Sequence, residues 1–207
     1  MYIPPNSCTV GINIGGTAII GDGGTTNYAA FAADGELTLF GTARITNGTW
    51  IGASGIKAPG TKPATWIEHG ISGVWRFADG DDETVVASIR IPNRMARAED
   101  PTIMIGWSAD GISPGNCEWQ VEYLWSSVDE DTTAVADDTL TVTTAASTTS
   151  NGMRTSTVTL ANPSATDICV HLRIKRLAAG GNDTIADTVE LHGICMSFIS
   201  DKLGEAT

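Results

Sequence analysis

Four groupings of side chains in this sequence have the types and spacing that chemistry uses. Ser54-Gly55-Ile56-Lys57 spells the serine-x-x-lysine pattern of serine acyl enzymes. In those enzymes the pattern opens a helix; here glycines and prolines break the segment, and no Lys-Thr-Gly or Ser-Asp-Asn follows it. Chance composition is the better account. Cys169 and His171 alternate, so they share one face of a strand, as metal ligands on a strand must. His192 and Cys195, three residues apart, are expected on opposite faces, so two further zinc ligands would have to come from elsewhere. His171 beside Arg173 and Lys175 reads as a solvated or interface histidine. Asp79, Asp81, Asp82 and Glu83 flank Gly80 and place carboxylates where calcium could be held, but the EF-hand spelling is absent and a charged hairpin turn is expected. Asp129, Glu130 and Asp131 pose the same question more weakly. No catalytic residue, metal or cofactor is therefore expected.

The fourth grouping is aromatic. Of the 6 tryptophans, Trp107, Trp119 and Trp125 fall at positions expected to face a core. Trp50, Trp66 and Trp75 lie where aromatic groups mark a subunit contact or a sugar-binding patch, with core packing as the plainer alternative.

The elements that must position these groups are strands. Cys117, Trp119, Val121, Tyr123 and Trp125 alternate with Asn116, Glu118, Gln120 and Glu122, the period-two pattern of a sheet with one buried face. Ile168 to Lys175 alternates likewise. Further strands are expected over Ile71–Phe77, Thr84–Ile91, Pro101–Trp107, Thr139–Thr144, Arg154–Leu160 and Thr188–Ser200. The last of these is apolar on both faces, so it lies either centrally in the sandwich or at a subunit contact. Arg94–Glu99 has room for a turn and no longer helix. Before Asn47 the chain is Gly-rich, with short apolar runs at Val10–Ile14 and Thr17–Ile20 and a hairpin turn at Asp34-Gly35. The expected organisation is an N-terminal β arm or attachment segment at 1–47, a Gly/Pro-broken linker at 48–65 and a sandwich at 66–207. The fold class is all-β: a jelly-roll-like antiparallel β-sandwich with a short Gly-rich arm.

Composition narrows the partners. The chain has 207 residues, 24 acidic against 12 basic, for a net charge of −12, which repels phosphate backbones and argues against nucleic acid. No apolar run reaches membrane-spanning length, and Met1–Pro5 has neither the charge nor the apolar stretch of a signal peptide. Cys8, Cys117, Cys169 and Cys195 are scattered and expected as free buried thiols.

Thr26-Asn27-Tyr28-Ala29-Ala30-Phe31-Ala32-Ala33-Asp34-Gly35 resembles the N-terminal segment of a group of tailed-phage structural proteins. Trp119–Trp125 resembles the central strand of that group, and Asp187–Gly204 its ending. The resemblance implies a homotrimeric, non-enzymatic virion protein on the particle surface, assembled in host cytoplasm. Its partners would be the major capsid protein or another virion protein, with neither nucleic acid nor membrane. Head decoration or capsid cement is the first expectation; a tail-fibre or receptor-binding knob recognising host surface glycan is the alternative. The contacts are then expected at Tyr2, Ile3, Pro4, Pro5, Tyr28, Phe31, Trp50 and Trp66. The group often carries a His-x-His strand where this chain has Met104-Ile105-Gly106-Trp107, so no role of those histidines carries over.

Overall fold

A computed structural model describes residues 18–21, 27–31, 37–41 and 44–203. Among these residues there are strands, turns and a 3-10 turn at Ala53–Gly55, and no α-helix. The chain divides into two compact units, Met1–Ile45 with Ser200–Thr207, and Thr46–Ile199.

The smaller unit holds β1 (Ala18–Gly21), β2 (Tyr28–Phe31), β3 (Leu37–Leu39) and β14 (Lys202–Leu203), hydrogen-bonded in that order as an antiparallel sheet. The ring of Tyr28 stacks on Phe40 with centroids 4.3 Å apart. The expected run Val10–Ile14 and the turn Asp34-Gly35 lie outside the described residues.

The larger unit is an antiparallel sandwich, as the alternation requires. Its strands are β4 (Ile45–Gly52), β5 (Thr65–His69), β6 (Ser72–Phe77), β7 (Thr84–Arg90), β8 (Thr102–Ala109), β9 (Asn116–Ser127), β10 (Asp138–Ala145), β11 (Arg154–Thr159), β12 (Asp167–Arg176) and β13 (Val189–Ser200). One sheet has the order β10-β9-β12-β7; the other has β11-β8-β13-β6-β5, with β4 also paired to β13. β13 is thus central, which is why it is apolar on both faces. Cys117, Trp119, Val121, Tyr123 and Trp125 from one sheet and Ile103, Ile105, Trp107, Leu191, Ile194 and Met196 from the other are all buried in a common layer. Trp119 meets Phe77 and Trp107 edge-on, at centroid distances of 5.1 and 6.4 Å. Such contacts add specificity to the apolar burial that drives the sheets together. Trp107 Nε1 donates to Ser156 Oγ at 2.9 Å, and Ser156 Oγ donates to Thr144 Oγ1 at 2.8 Å, tying β8 and β11 to β10 across the sandwich.

The segment expected as a linker, 48–65, is part of this unit. β4 pairs with β13, Lys57 and Val86 exchange main-chain hydrogen bonds of 2.9 and 2.8 Å, and Ala53, Ile56 and Ala64 are buried in the core. The glycines and prolines of this stretch break it into short pieces without taking it off the sheet edge. Ser200 onward, expected with the sandwich, belongs to the smaller unit.

The core face of β12 ends on a charge. Arg176 is fully buried, and its guanidinium forms a fork with Asp183, Nε–Oδ2 3.0 Å and Nη2–Oδ1 2.9 Å. Its remaining protons go to the carbonyls of Phe77, Ala78, Ile185 and Asp187. Arginine can satisfy this many acceptors at once because its donors are fixed in a plane.

Candidate functional site

Trp50 lies on the outward face of the larger sheet. Gly193 on β13 pairs with Gly106 on β8, and both residues turn their missing side chains outward. The Trp50 indole lies over this pair: a Cβ on Gly193 would come within 2.5 Å of Trp50 Cζ2, and one on Gly106 within 3.1 Å of Cη2. The two glycines therefore form a seat that any side chain would fill. The six-membered ring of the indole rests over backbone at these glycines, yet Trp50 keeps 51% of its surface exposed. Met153, also exposed, borders the seat beside Gly106.

Polar groups flank the ring on the same face. The pairing of β13 with β8 shifts register between Leu191 and Gly193, a bulge that makes His192 the extra residue. A bulge re-aims the side chains around it. His192 Nε2 shares a 2.8 Å hydrogen bond with Ser108 Oγ, two residues along β8 from Gly106, about 7 Å. Glu190, paired with Ser108, is buried, and its Oε2 lies 2.5 Å from His69 Nδ1. Its Oε1 is 3.5 Å from Arg76 Nε, and Arg76 Nη2 bonds the carboxylate of Asp110. Burial pushes the His192 pKa below its ordinary value, and the neighbouring His69 adds to this; the Glu190 carboxylate opposes it. The imidazole is accordingly held neutral near pH 7 and can exchange hydrogen bonds in either direction. Ser108 is fully buried, so its hydroxyl orients His192 and is not placed to attack a substrate.

The expected contact residues fall in both units. Trp50 and Trp66 are exposed in the sandwich, and Phe31 is exposed in the smaller unit, where Tyr28 is stacked on Phe40. Tyr2, Ile3, Pro4 and Pro5, like Cys8, lie outside the described residues. Trp66 packs over Gly73 and edge-on to Trp75 at 5.3 Å. Trp75 itself is buried and donates Nε1–H to the Ala53 carbonyl at 2.9 Å.

The sites weighed for other chemistry are occupied otherwise. Ser54 sits in the 3-10 turn and Lys57 follows it in bridged, extended chain, not on a helix. Cys169 and His171 do share the outward face of β12, but both His171 nitrogens bond serine hydroxyls, Ser88 at 2.9 Å and Ser126 at 3.0 Å. The bulge at His192 corrects the parity count: Cys195 pairs with Met104 and so lies on the same outward face as Gly193 and His192. In the acidic turn, Glu83 Oε2 accepts from the Ala78 amide at 2.6 Å and Asp82 Oδ1 from the Ala179 amide at 3.1 Å. Sequence reading missed Glu190, Arg76, His69 and Ser108 as a group. Alternation does place Glu190 and His192 on one face of their strand, and that signal was there to be used.

The sequence matches no protein-family model and no curated protein. Among solved structures the chain is similar to the CBM36-1 domain of a multidomain xylanase from the hindgut metagenome of Trinervitermes trinervoides, with TM-score 0.44 and 9% identity over 72% of this chain and 96% of that one. A family 6 carbohydrate-binding module aligns with TM-score 0.42 and 11% identity over 74% and 93%. The enzymatically active domain of bacteriophage CBA120 tailspike protein 4 aligns with TM-score 0.39 and 9% identity, over 70% of this chain and 19% of that one. None of the three is a capsid protein. The expectation of head decoration or capsid cement is corrected on this finding.

Proposed function

We propose that the sandwich is a carbohydrate-recognition module whose ligand stacks on Trp50. The observation that carries this reading is the seating of the indole: its six-membered ring is fixed over Gly106 and Gly193 while half of the residue stays open to solvent. The apolar C–H face of a pyranose ring covers an aromatic plane of this kind, and burying it on a ring that is already ordered costs little further entropy. His192 and, further along the same outward face, Arg76 with its partner Asp110 carry donors and acceptors for the hydroxyls of a ligand that extends beyond the ring. Arg76 and Asp110 are each about one-third exposed, so both can reach a ligand while keeping their mutual bond. The site is a platform on a sheet face, which suits the interior of an extended saccharide better than a chain end held in a closed pocket.

Tryptophan fluorescence titrated against a panel of neutral oligosaccharides tests the reading. A saturable change is expected for at least one ligand, and Trp50→Ala should weaken that binding by about tenfold or more without altering the circular dichroism spectrum. Binding retained in full by Trp50→Ala, or a glycan array with no positive, overturns it.

A further inference from the structure

The outward face of the other sheet carries a cleft of about 440 Å³ that the Trp50 surface does not use. Register builds its floor. Lys175 on β12 pairs with Thr84 on β7 and Gln120 on β9, and the next outward row pairs Arg173 with Val86 and Glu122. Their chain neighbours Ile174, Val85 and Val121 fill the core, so these side chains must point out. The segment Pro59–Lys62 lines the β7 side, fixed there by Thr84 N–H donating to the Lys62 carbonyl at 2.8 Å and Ala64 N–H donating to the Thr84 carbonyl at 3.1 Å.

In a chain of net charge −12, three of the 12 lysines and arginines meet in this cleft: Lys62, Arg173 and Lys175. Its two carboxylates are already engaged. Glu122 accepts from Arg173 at 2.8 Å, and Asp82 accepts from the Ala179 amide at 3.1 Å. Neither the Lys62 nor the Lys175 ammonium has a partner among the described residues. Lys62 also holds a left-handed backbone, φ 46°, which a side-chain-bearing residue adopts at a cost and which recurs where a chain is shaped around a ligand. Apart from Pro59 the lining offers no apolar anchor of the kind a bound peptide uses, and Thr61 and Thr84 supply hydroxyls.

We propose that this cleft binds the carboxylate-bearing sugar of an acidic saccharide. The oxyanion sits between Lys62 and Lys175, and the ring hydroxyls meet Thr61, Thr84 and the Glu122–Arg173 pair. This site stands apart from the Trp50 platform, on the opposite outward face of the sandwich.

Calorimetric titration of the full chain with trigalacturonate and trimannuronate, with the methyl ester of each, and with sodium acetate and sodium sulfate tests the proposal. At least one acidic trimer should bind, its methyl ester about tenfold or more weaker, and its affinity should fall between about 50 and about 500 mM NaCl. Lys62→Gln/Lys175→Gln should weaken the acidic trimer by about tenfold or more, whereas Lys175→Arg and Trp50→Ala should leave it within about twofold. No binding of either trimer, an ester that binds as well as its acid, or affinity retained in the double lysine variant overturns the proposal. Acetate or sulfate binding as tightly as the trimers overturns the saccharide assignment, and so does equal binding of a tetraglutamate peptide. Loss of the acidic trimer in Trp50→Ala places the ligand on the other face and overturns the cleft, while Trp50→Ala affecting only neutral ligands leaves both sites standing.

Discussion

Replacing Asp183 with alanine removes the counter-charge of Arg176 while leaving the guanidinium in the core. Both groups lie below 10% exposure, and the fork between them is bidentate, with bonds of 2.9 and 3.0 Å. Water cannot take over the lost interaction without opening the junction of β6, β12 and the 177–188 loop. The same substitution frees the Glu118 amide, which donates to Asp183 Oδ2 at 3.1 Å. Breaking a buried pair from one side costs about 3–5 kcal/mol, because the remaining charge is left uncompensated. For a domain of this size each kcal/mol moves the melting midpoint by about 2–4 °C, so a fall of about 6–20 °C is expected. Urea and thermal unfolding read by the fluorescence of the buried Trp107 and Trp119 measure it. Asp183→Asn, which keeps the shape and one acceptor oxygen, should fall between wild type and Asp183→Ala. Arg176→Met/Asp183→Leu should recover part of the loss and not all of it, since the carbonyls of Phe77, Ala78, Ile185 and Asp187 lose their donor. A loss under about 1 kcal/mol for Asp183→Ala, the size of an exposed pair, would refute the reasoning.

Three further outcomes follow from the same geometry. Gly193→Val should unseat the Trp50 ring and shift its fluorescence emission, with glycan binding weakened as much as by Trp50→Ala; an unchanged emission spectrum contradicts the seat. Because His192 has a folded-state pKa below its ordinary 6.5, the folded state binds fewer protons there than the unfolded one; stability is therefore whole above about pH 6.5 and declines as pH falls through the lowered value. His192→Gln should flatten that part of the urea-midpoint profile between about pH 7 and pH 5, and a profile with the same slope refutes it. Burial first, and then the Asp183 carboxylate, raise the Cys117 thiol far above its ordinary range, so maleimide labelling followed by peptide mass mapping should modify Cys117 only in the unfolded protein; rapid labelling in the native state counts against the described core.

The long strands were legible because their physics is local. A half-buried strand must alternate, and β9 and β12 do so over nearly their whole length. β4 and β5 were hidden for the opposite reason. Gly48 and Gly52 punctuate β4, and its outward residues are those that a loop also carries. Nothing in Ile45–Gly52 itself announces that β6 pairs with β13 only at Val189–Leu191 and leaves the rest of that strand to receive it. The bulge at His192 is equally silent, because one extra residue against β8 is a property of the pair and not of either strand. That single residue decides which face Cys195 occupies, so a parity count run through it fails. Trp50 was marked by its type alone; the glycines that seat it lie 56 and more residues away along the chain, at 106 and 193. The Arg176–Asp183 lock spans a Gly180-Gly181 turn, and no rule of alternation puts an arginine at the end of an apolar face. Only its full set of acceptors, drawn from β6 and the 183–187 segment, makes that placement tolerable.

The sheet of the smaller unit is assembled from both ends of the described chain, with Lys202 paired to Thr38 and Leu203 to Leu37. Covalently, then, that unit hangs from two tethers, one entering β4 and one leaving β13. Severing the tether into β4 leaves β1–β3 held to the rest of the chain by the β3–β14 pairing and no longer by a covalent bond, and a mechanical load applied to the intact unit is divided between two paired ribbons of the sandwich.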